Sequence, residues 1–311
     1  MKVTLPWPLF CLTDERGYNA GYACVQGPTR TAAESHLLST LASTMQLVGM
    51  TSYLTFPSEH TSGDTFNYEQ ACVAWCHCFR NPDAFLPPGT PRLVLSHSDF
   101  TDYALVSPHS FSLEESYKKR YDFVYVCQSG AWSEQVKNWE LARRCLPTLC
   151  FNLGLTGILV GRRHIADLPD YEDRLTICDK LPWEDLMRII LQSRFLFVPN
   201  ELDASPRVIA ESLCLNTPVL VNRNILGGWK YVNPFTGSFF ESEHDVAAGA
   251  RMCLERWTSP RRWFVANYGP VLAGRRLAHF LGNVDPALRH IAQLHISYTL
   301  ELPGINPELA S

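Results

Sequence analysis

The chain is 311 residues long with a formal net charge of -4, which is enough for two domains that each bury a core of their own. Hydrophobic residues make up 46% of it and charged residues 19%, so an intrinsically disordered chain is excluded. No block of five like charges occurs, which argues against a nucleic-acid partner but leaves room for a local basic pocket.

Near the start, LPWPLFCL is short, is broken by two prolines and lacks a small-residue cleavage site; it is not expected to be a signal peptide, and no later run is long enough to span a membrane. Most of the eleven cysteines (Cys127, Cys145, Cys150, Cys178, Cys214 and Cys253 among them) fall inside apolar strand or helix patterns, and no N-x-S/T sequon occurs. Free thiols in a reducing, cytoplasmic setting are expected.

Taken in order, residues 1–116 are expected to form a small α/β domain with a partly parallel sheet. The T-A-A-E capping box at Thr31 to Glu34 opens a helix with Leu37, Leu38, Leu41, Met45 and Val48 at helical spacing. Strand candidates follow at Ser52 to Phe56 and Arg92 to Ser96, with a helix around Tyr68 to Phe79 between them. Cys72, Cys76, His77 and Cys78 have ligand types of a zinc site but no second ligand pair, and thiols on a buried helix face are the simpler reading. His97 and Asp99 sit just after a strand, where a general base could stand.

Beyond a boundary placed near residues 112 to 120 the pattern becomes regular: strand 122–127, helix 135–151, strand 157–161, strand 175–178, helix 183–193, strand Phe195 to Val198, a helix from Pro206, strand Pro218 to Val221, strand Ser238 to Phe240, then helices over 244–256 and 260–281. Alternating strands and helices predict a doubly wound, largely parallel sheet over 117–282, with 283–311 as a tail. Pro147 predicts a kink or an early end of the first helix.

In such sheets ligands bind at the carboxyl ends of the strands, and several connections there carry suitable chemistry. Ser205 suits an N-cap and Pro206 the first helical position, so loop amides and the positive helix end would face outward and attract an anion. Lys137 at a helix opening, Arg162 and Arg163 after a strand, and Arg207 in a first helical turn are candidate phosphate partners. Asp203 and Glu211 stand at the ends of an acidic-x7-acidic spacing. Gly227 and Gly228 permit close backbone approach beside Asn222, Asn224, Trp229 and Lys230.

The run DASPRVIAESLCLNTPVLVN, followed by the Gly-Gly loop and TGSFF, resembles the donor-binding half of retaining nucleotide-sugar glycosyltransferases of the GT-B fold, the "glycosyl transferases group 1" type. The resemblance covers about residues 117 to 282. It implies a GT-B-like chain of two Rossmann-like domains, the amino-terminal one reduced and on the acceptor side. It also implies transfer of a sugar from a nucleoside-diphosphate sugar to a carbohydrate or other hydroxyl acceptor with retention, without a metal or other cofactor. Position by position, Glu211 would bind the ribose hydroxyls, Asp203 would meet the transferred sugar, Lys137 would bind the diphosphate, and the backbone at Ala204, Ser205, Pro206 and Arg207 would complete the anion site. Cys178, Lys180 and Leu181, at the end of the LTIC strand, would edge the nucleobase, and His97 or Asp99 would supply a general base.

Two departures stand out. The family's arginine after the first strand has no counterpart in Gln128 and Ser129, so Arg162, Arg163 and Arg207 are its candidate substitutes. Asp203 replaces a glutamate and shortens the reach by one methylene. An epimerase on the same architecture and a non-catalytic nucleotide- or sugar-binding protein are the alternatives.

Overall fold

Parallel strands covered on both faces need near-continuous apolar sequence, and two groups of such runs build this protein. The computed structural model describes residues 2–51, 56–57, 64–111, 118–162, 171, 173–256 and 258–301. The chain divides into two units, residues 1–100 with 270–311 and residues 101–269.

The first unit contains β1 (Lys2–Thr4), β2 (Leu9–Thr13), β3 (Asn19–Val25), α1 (Ala32–Thr44), β4 (Gln46–Met50), α2 (Tyr68–Ala71), β5 (Cys72–His77) and β6 (Arg92–Val94). The second contains α3 (Pro108–Phe111), β7 (Tyr121–Val126), α4 (Ala131–Val136), α5 (Trp139–Pro147), β8 (Gly157–Val160), β9 (Leu175–Cys178), α6 (Trp183–Leu191), β10 (Ser193–Val198), α7 (Arg207–Cys214), β11 (Val219–Asn222), β12 (Gly237–Phe240), α8 (Val246–Glu255) and α9 (Pro260–Asn267). The chain returns to the first unit with α10 (Pro270–Val284), β13 (His295–Ser297) and β14 (Thr299–Glu301).

In the first unit the sheet order is β13-β2-β3-β4-β5-β6, with β3 to β6 parallel and β13, β2 and β3 antiparallel. The expected partly parallel sheet is present. The capping box is present as well: Thr31 accepts from the Glu34 amide at 3.2 Å, and Glu34 Oε2 accepts from the Thr31 amide at 3.3 Å. Three expectations need correction. α1 stops at Thr44, and Val48 lies on β4. CVAWCHC is mostly strand, because a short run buried on both sides reads alike as helix or strand, and β5 is such a run. The boundaries also move. Val106 and Phe111 join the core of the second unit, while Ala273, Leu277, Ala278 and Leu281 of α10 join the core under the first sheet. Residues 101–111 and 270–282 therefore group with the other unit than expected, and Leu288, Ile291 and Leu294 of the expected tail belong to the core of the first unit. The strand expected at Ser52 to Phe56 lies, apart from Phe56, outside the described residues.

In the second unit β12-β11-β10-β7-β8-β9 are all parallel, as alternating strands and helices predict. Met187, Ile190, Ile209 and Leu213 pack one face of the sheet, and Leu141, Cys145, Val246 and Ala250 the other. Pro147 ends α5, and the chain continues as a π-type turn, Thr148–Asn152. The helix expected over 260–281 is two helices. They break at Gly269, whose φ of +105° disfavours any side chain and whose missing Cβ would lie 2.4 Å from the Tyr103 ring.

Candidate functional site

The first strand of the parallel sheet, β7, lies beside β10, so connections run outward in both directions from the β7–β10 pair. That is the switch point at which such sheets open a crevice beyond their carboxyl ends. The connection after β7 holds Lys137 there. Asn138 adopts a left-handed conformation (φ 51°) and caps α5 by accepting from the Leu141 amide at 3.2 Å, so α4 and α5 meet at an angle around Lys137. Lys137 is thus the C-cap of α4 rather than part of the opening of one helix over 135–151, a place that suits a cation. Tyr125, buried on β7, donates to the Lys137 carbonyl at 3.0 Å and fixes its height above the sheet.

From the connection after β10, Asp203 meets it. Lys137 Nζ lies 2.5 Å from Asp203 Oδ2, and buried Asn200 donates to the same oxygen at 2.9 Å. The Asp203 carbonyl accepts from the Gly227 amide at 2.9 Å, and the Glu201 carbonyl from the Leu226 amide at 2.7 Å, which stitches the Gly-Gly loop to the acidic loop. At Gly228, φ is +82° and an added Cβ would stand 2.5 Å from Pro206 Cγ. The Gly-Gly loop therefore seats on Pro206 only because its second glycine has no side chain.

α7 begins at Arg207 with Pro206 as its N-cap and no side-chain cap, one position later than the sequence suggests. Pro206 has no N–H, so of the four positions expected to complete an anion site only Ala204, Ser205 and Arg207 carry amides. Eight positions after Asp203, Glu211 is 5% exposed and accepts from Trp183 Nε1 at 2.8 Å through Oε1. Among the described residues its Oε2 makes no hydrogen bond. Burial pushes the Glu211 carboxyl up, while the Trp183 hydrogen bond and the nearby Arg207 charge pull it down. Trp183 opens α6 and packs edge-on against Phe111 at 5.4 Å. Its role was not read from the sequence; the available signal was a tryptophan opening the helix just beyond a strand's carboxyl end.

The other candidates fare unequally. Arg162 is 8% exposed, stacks 3.8 Å over the Trp139 ring and pairs with Glu134 at 3.1 Å. It is part of the scaffold under Lys137 rather than an open phosphate donor. Arg163 lies outside the described residues. Cys178 ends edge strand β9, and Lys180 and Leu181 follow it; the Cys178 carbonyl is taken by the Gly161 and Arg162 amides, Lys180 is exposed and Leu181 packs on the core. Asn222 is fully buried and donates to the Pro199 carbonyl at 3.0 Å, so it braces the loop. In the first unit Asp99 is fully buried and accepts from the Ser96 amide at 2.9 Å, which makes it a turn brace and not an accessible base. His97 Nε2 is 2.5 Å from the Tyr298 hydroxyl. Among the described residues no group of three His, Cys, Asp or Glu side chains could hold a metal ion, and no helix is long and apolar enough to cross a membrane.

The sequence matches no family model and no curated protein. Solved structures do match. The pneumococcal O-GlcNAc transferase GtfA in complex with UDP and GlcNAc superposes with a TM-score of 0.53 at 10% identity over 82% of this chain and 54% of its own; the chain thus spans about half of that enzyme. Sucrose-phosphate synthase from Thermosynechococcus elongatus gives 0.55 at 13% identity, over 82% of this chain and 72% of its own. HepE of Anabaena in complex with UDP and glucose gives 0.54 at 12% identity, over 81% and 76%. With two Rossmann-like units, one on a partly and one on a wholly parallel sheet, the chain has the GT-B-like fold of these glycosyltransferases.

Proposed function

We propose that the protein is a glycosyltransferase that moves a sugar from a nucleoside-diphosphate sugar to an acceptor hydroxyl, with retention of anomeric configuration and without a metal ion. The observation that carries this reading is the meeting of Lys137 and Asp203 over the switch point, with Glu211 buried in the helix that follows Asp203. The superposed enzymes bound to UDP and a sugar support the choice of donor.

In this reading the free oxygen of Glu211 accepts from a ribose hydroxyl, and Cys178, Lys180 and Leu181 border the base. The diphosphate lies against Lys137, Arg207 and the amides of Ala204 and Ser205. Charge grows on the leaving phosphate as the anomeric bond breaks, and a preorganised cation with a helix amino terminus stabilises that charge more than the ground state. When the diphosphate takes over Lys137, Asp203 is released toward the transferred sugar. Eleven free cysteines, ten of them buried, support a reducing, cytoplasmic location.

The test is a thermal-shift panel of nucleoside diphosphates and their sugars, followed by product analysis with the donor that binds. Binding raises the melting point by mass action. A panel in which no nucleotide shifts the transition overturns the donor assignment; binding without transfer to any acceptor overturns the catalytic one.

A further inference from the structure

In the first unit α10 turns Ala273, Leu277 and Leu281 into the core, and its outer flank faces the 3₁₀ turn Pro286–His290. Between them is a cavity of about 350 Å³, floored by Ala278, Gly282 and Ile291 and walled by Arg275, His279, Asn283 and Arg289. Arg275, His279 and Asn283 recur every fourth residue, so they form one stripe along the helix. Arg289 also lines the groove, its Nε donating to the Gly282 carbonyl at 3.1 Å, which holds the guanidinium in place.

The positive charge in this groove is not balanced from within. Asp285 accepts from the Tyr22 hydroxyl at 3.1 Å and the Ala287 amide at 3.0 Å. Glu15 accepts from the Ala292 and Gln293 amides at 2.8 and 2.9 Å. Among the described residues neither carboxylate pairs with Arg275 or Arg289, and Arg275 makes no hydrogen bond or ion pair. Two guanidinium groups around one concavity repel each other unless an anion lies between them, and the planar guanidinium fork matches the oxygens of a phosphate. The volume suits a small ligand and not a long chain.

We propose that this groove binds the phosphate of a small phosphate ester, with Arg275 and Arg289 on the anion and His279 and Asn283 on neighbouring oxygens. The ester is either a soluble polyol phosphate or the head group of a phospholipid. The site is independent of the donor reading, which concerns the other unit.

The full chain, titrated calorimetrically with glycerol 3-phosphate and sedimented with phosphatidylglycerol or phosphatidylcholine vesicles, tests the proposal. Expected is binding of glycerol phosphate, of phosphatidylglycerol vesicles or of both, kept in Lys137→Ala and weakened at least tenfold in Arg275→Gln and in Arg289→Gln. Arg275→Gln breaks no hydrogen bond or ion pair among the described residues, and Arg289→Lys keeps the charge and recovers part of the binding. Uptake of glycerol phosphate alone identifies a soluble ester; retention on phosphatidylglycerol identifies the head group. Absence of both, or binding unchanged in Arg275→Gln and Arg289→Gln, overturns the proposal.

Discussion

Trp183 Nε1 donates to Glu211 Oε1 at 2.8 Å, and among the described residues the other oxygen of that buried carboxylate makes no hydrogen bond. Burial penalises the charged form and holds its pKa above the ordinary 4.5. The sign follows from proton linkage. The folded state binds this proton more readily than the unfolded state, so the penalty is fully present above the raised pKa and is relieved as pH falls through it toward 4.5. Glu211→Gln keeps an acceptor for Trp183 but removes the charge. It is expected to melt above the wild type at neutral pH, with the gap closing as the medium is acidified to near pH 4.5. Under the donor reading the same variant binds UDP more weakly by roughly 1.5–3 kcal/mol, the worth of a hydrogen bond to a charged group. Melting curves across pH and calorimetric titration of UDP check both halves; a variant that melts lower and binds UDP as the wild type does removes Glu211 from the ribose role.

Lys137, Asp203 and Asn200 converge on one oxygen, so their substitutions should not add. Among the described residues Lys137→Met leaves the mostly buried Asp203 carboxylate with Asn200 as its side-chain partner, and Asp203→Asn in the same chain should recover part of the lost stability, with a coupling of roughly 0.5–3 kcal/mol in urea denaturation. The rate is expected to separate from the stability. Lys137→Met loses about 2–4 kcal/mol of transition-state stabilisation, comparable to removing one preorganised donor, and Asp203→Asn does not restore it. Equal recovery of rate and stability in the double variant assigns Lys137 a purely structural part.

The sheet of the second unit was legible because β7, β8, β10 and β11 are short apolar runs buried on both faces, each set off by polar turns. The fold of the first unit was less so. β5 has no alternation by which to tell strand from helix, and β2 pairs with β13 from the far end of the chain. At the site, the residue types were readable but not their partners. Lys137 and Asp203 are 66 positions apart, Trp183 and Glu211 28, and only the strand order brings them together. Arg162 shows the limit from the other side: a basic residue at a strand end suggests an anion site, yet Trp139 and Glu134 already occupy its guanidinium.

Gly228 supplies a test of how tightly the two loops are seated. Gly228→Ala places a Cβ 2.5 Å from Pro206 at a φ of +82°, and is expected to cost about 1–3 kcal/mol while displacing the loop before α7. Gly154→Ala is the control, since φ is +68° there but nothing lies within 4 Å of the added atom; it should cost about 1–2 kcal/mol from backbone strain alone. Denaturation midpoints with UDP titrations compare them. Loss of UDP affinity confined to Gly228→Ala is expected, and equal affinity in the two variants means that the Gly-Gly loop does not shape the anion site.

α10 follows the second unit in sequence but completes the first in space. Ala273, Leu277, Ala278 and Leu281, with Leu288, Ile291 and Leu294 after them, pack against Phe10, Leu12, Val48 and Met50. A chain ending at residue 269 exposes that sheet face, whereas residues 101–269 keep both core layers of their own. The fragment 101–269 is therefore expected to give a dispersed proton spectrum and a cooperative melt, and the fragment 1–100 to give neither. Joining 1–100 to 270–301 by a flexible linker should restore folding, because closing such a loop costs only a few kcal/mol more than a short one. In the full chain, Leu277→Ala opens a cavity at a fully buried position and is expected to destabilise the first unit by about 2–5 kcal/mol, with the melt of the second unit unchanged. A folded fragment 1–100 lacking α10 contradicts this division of the chain.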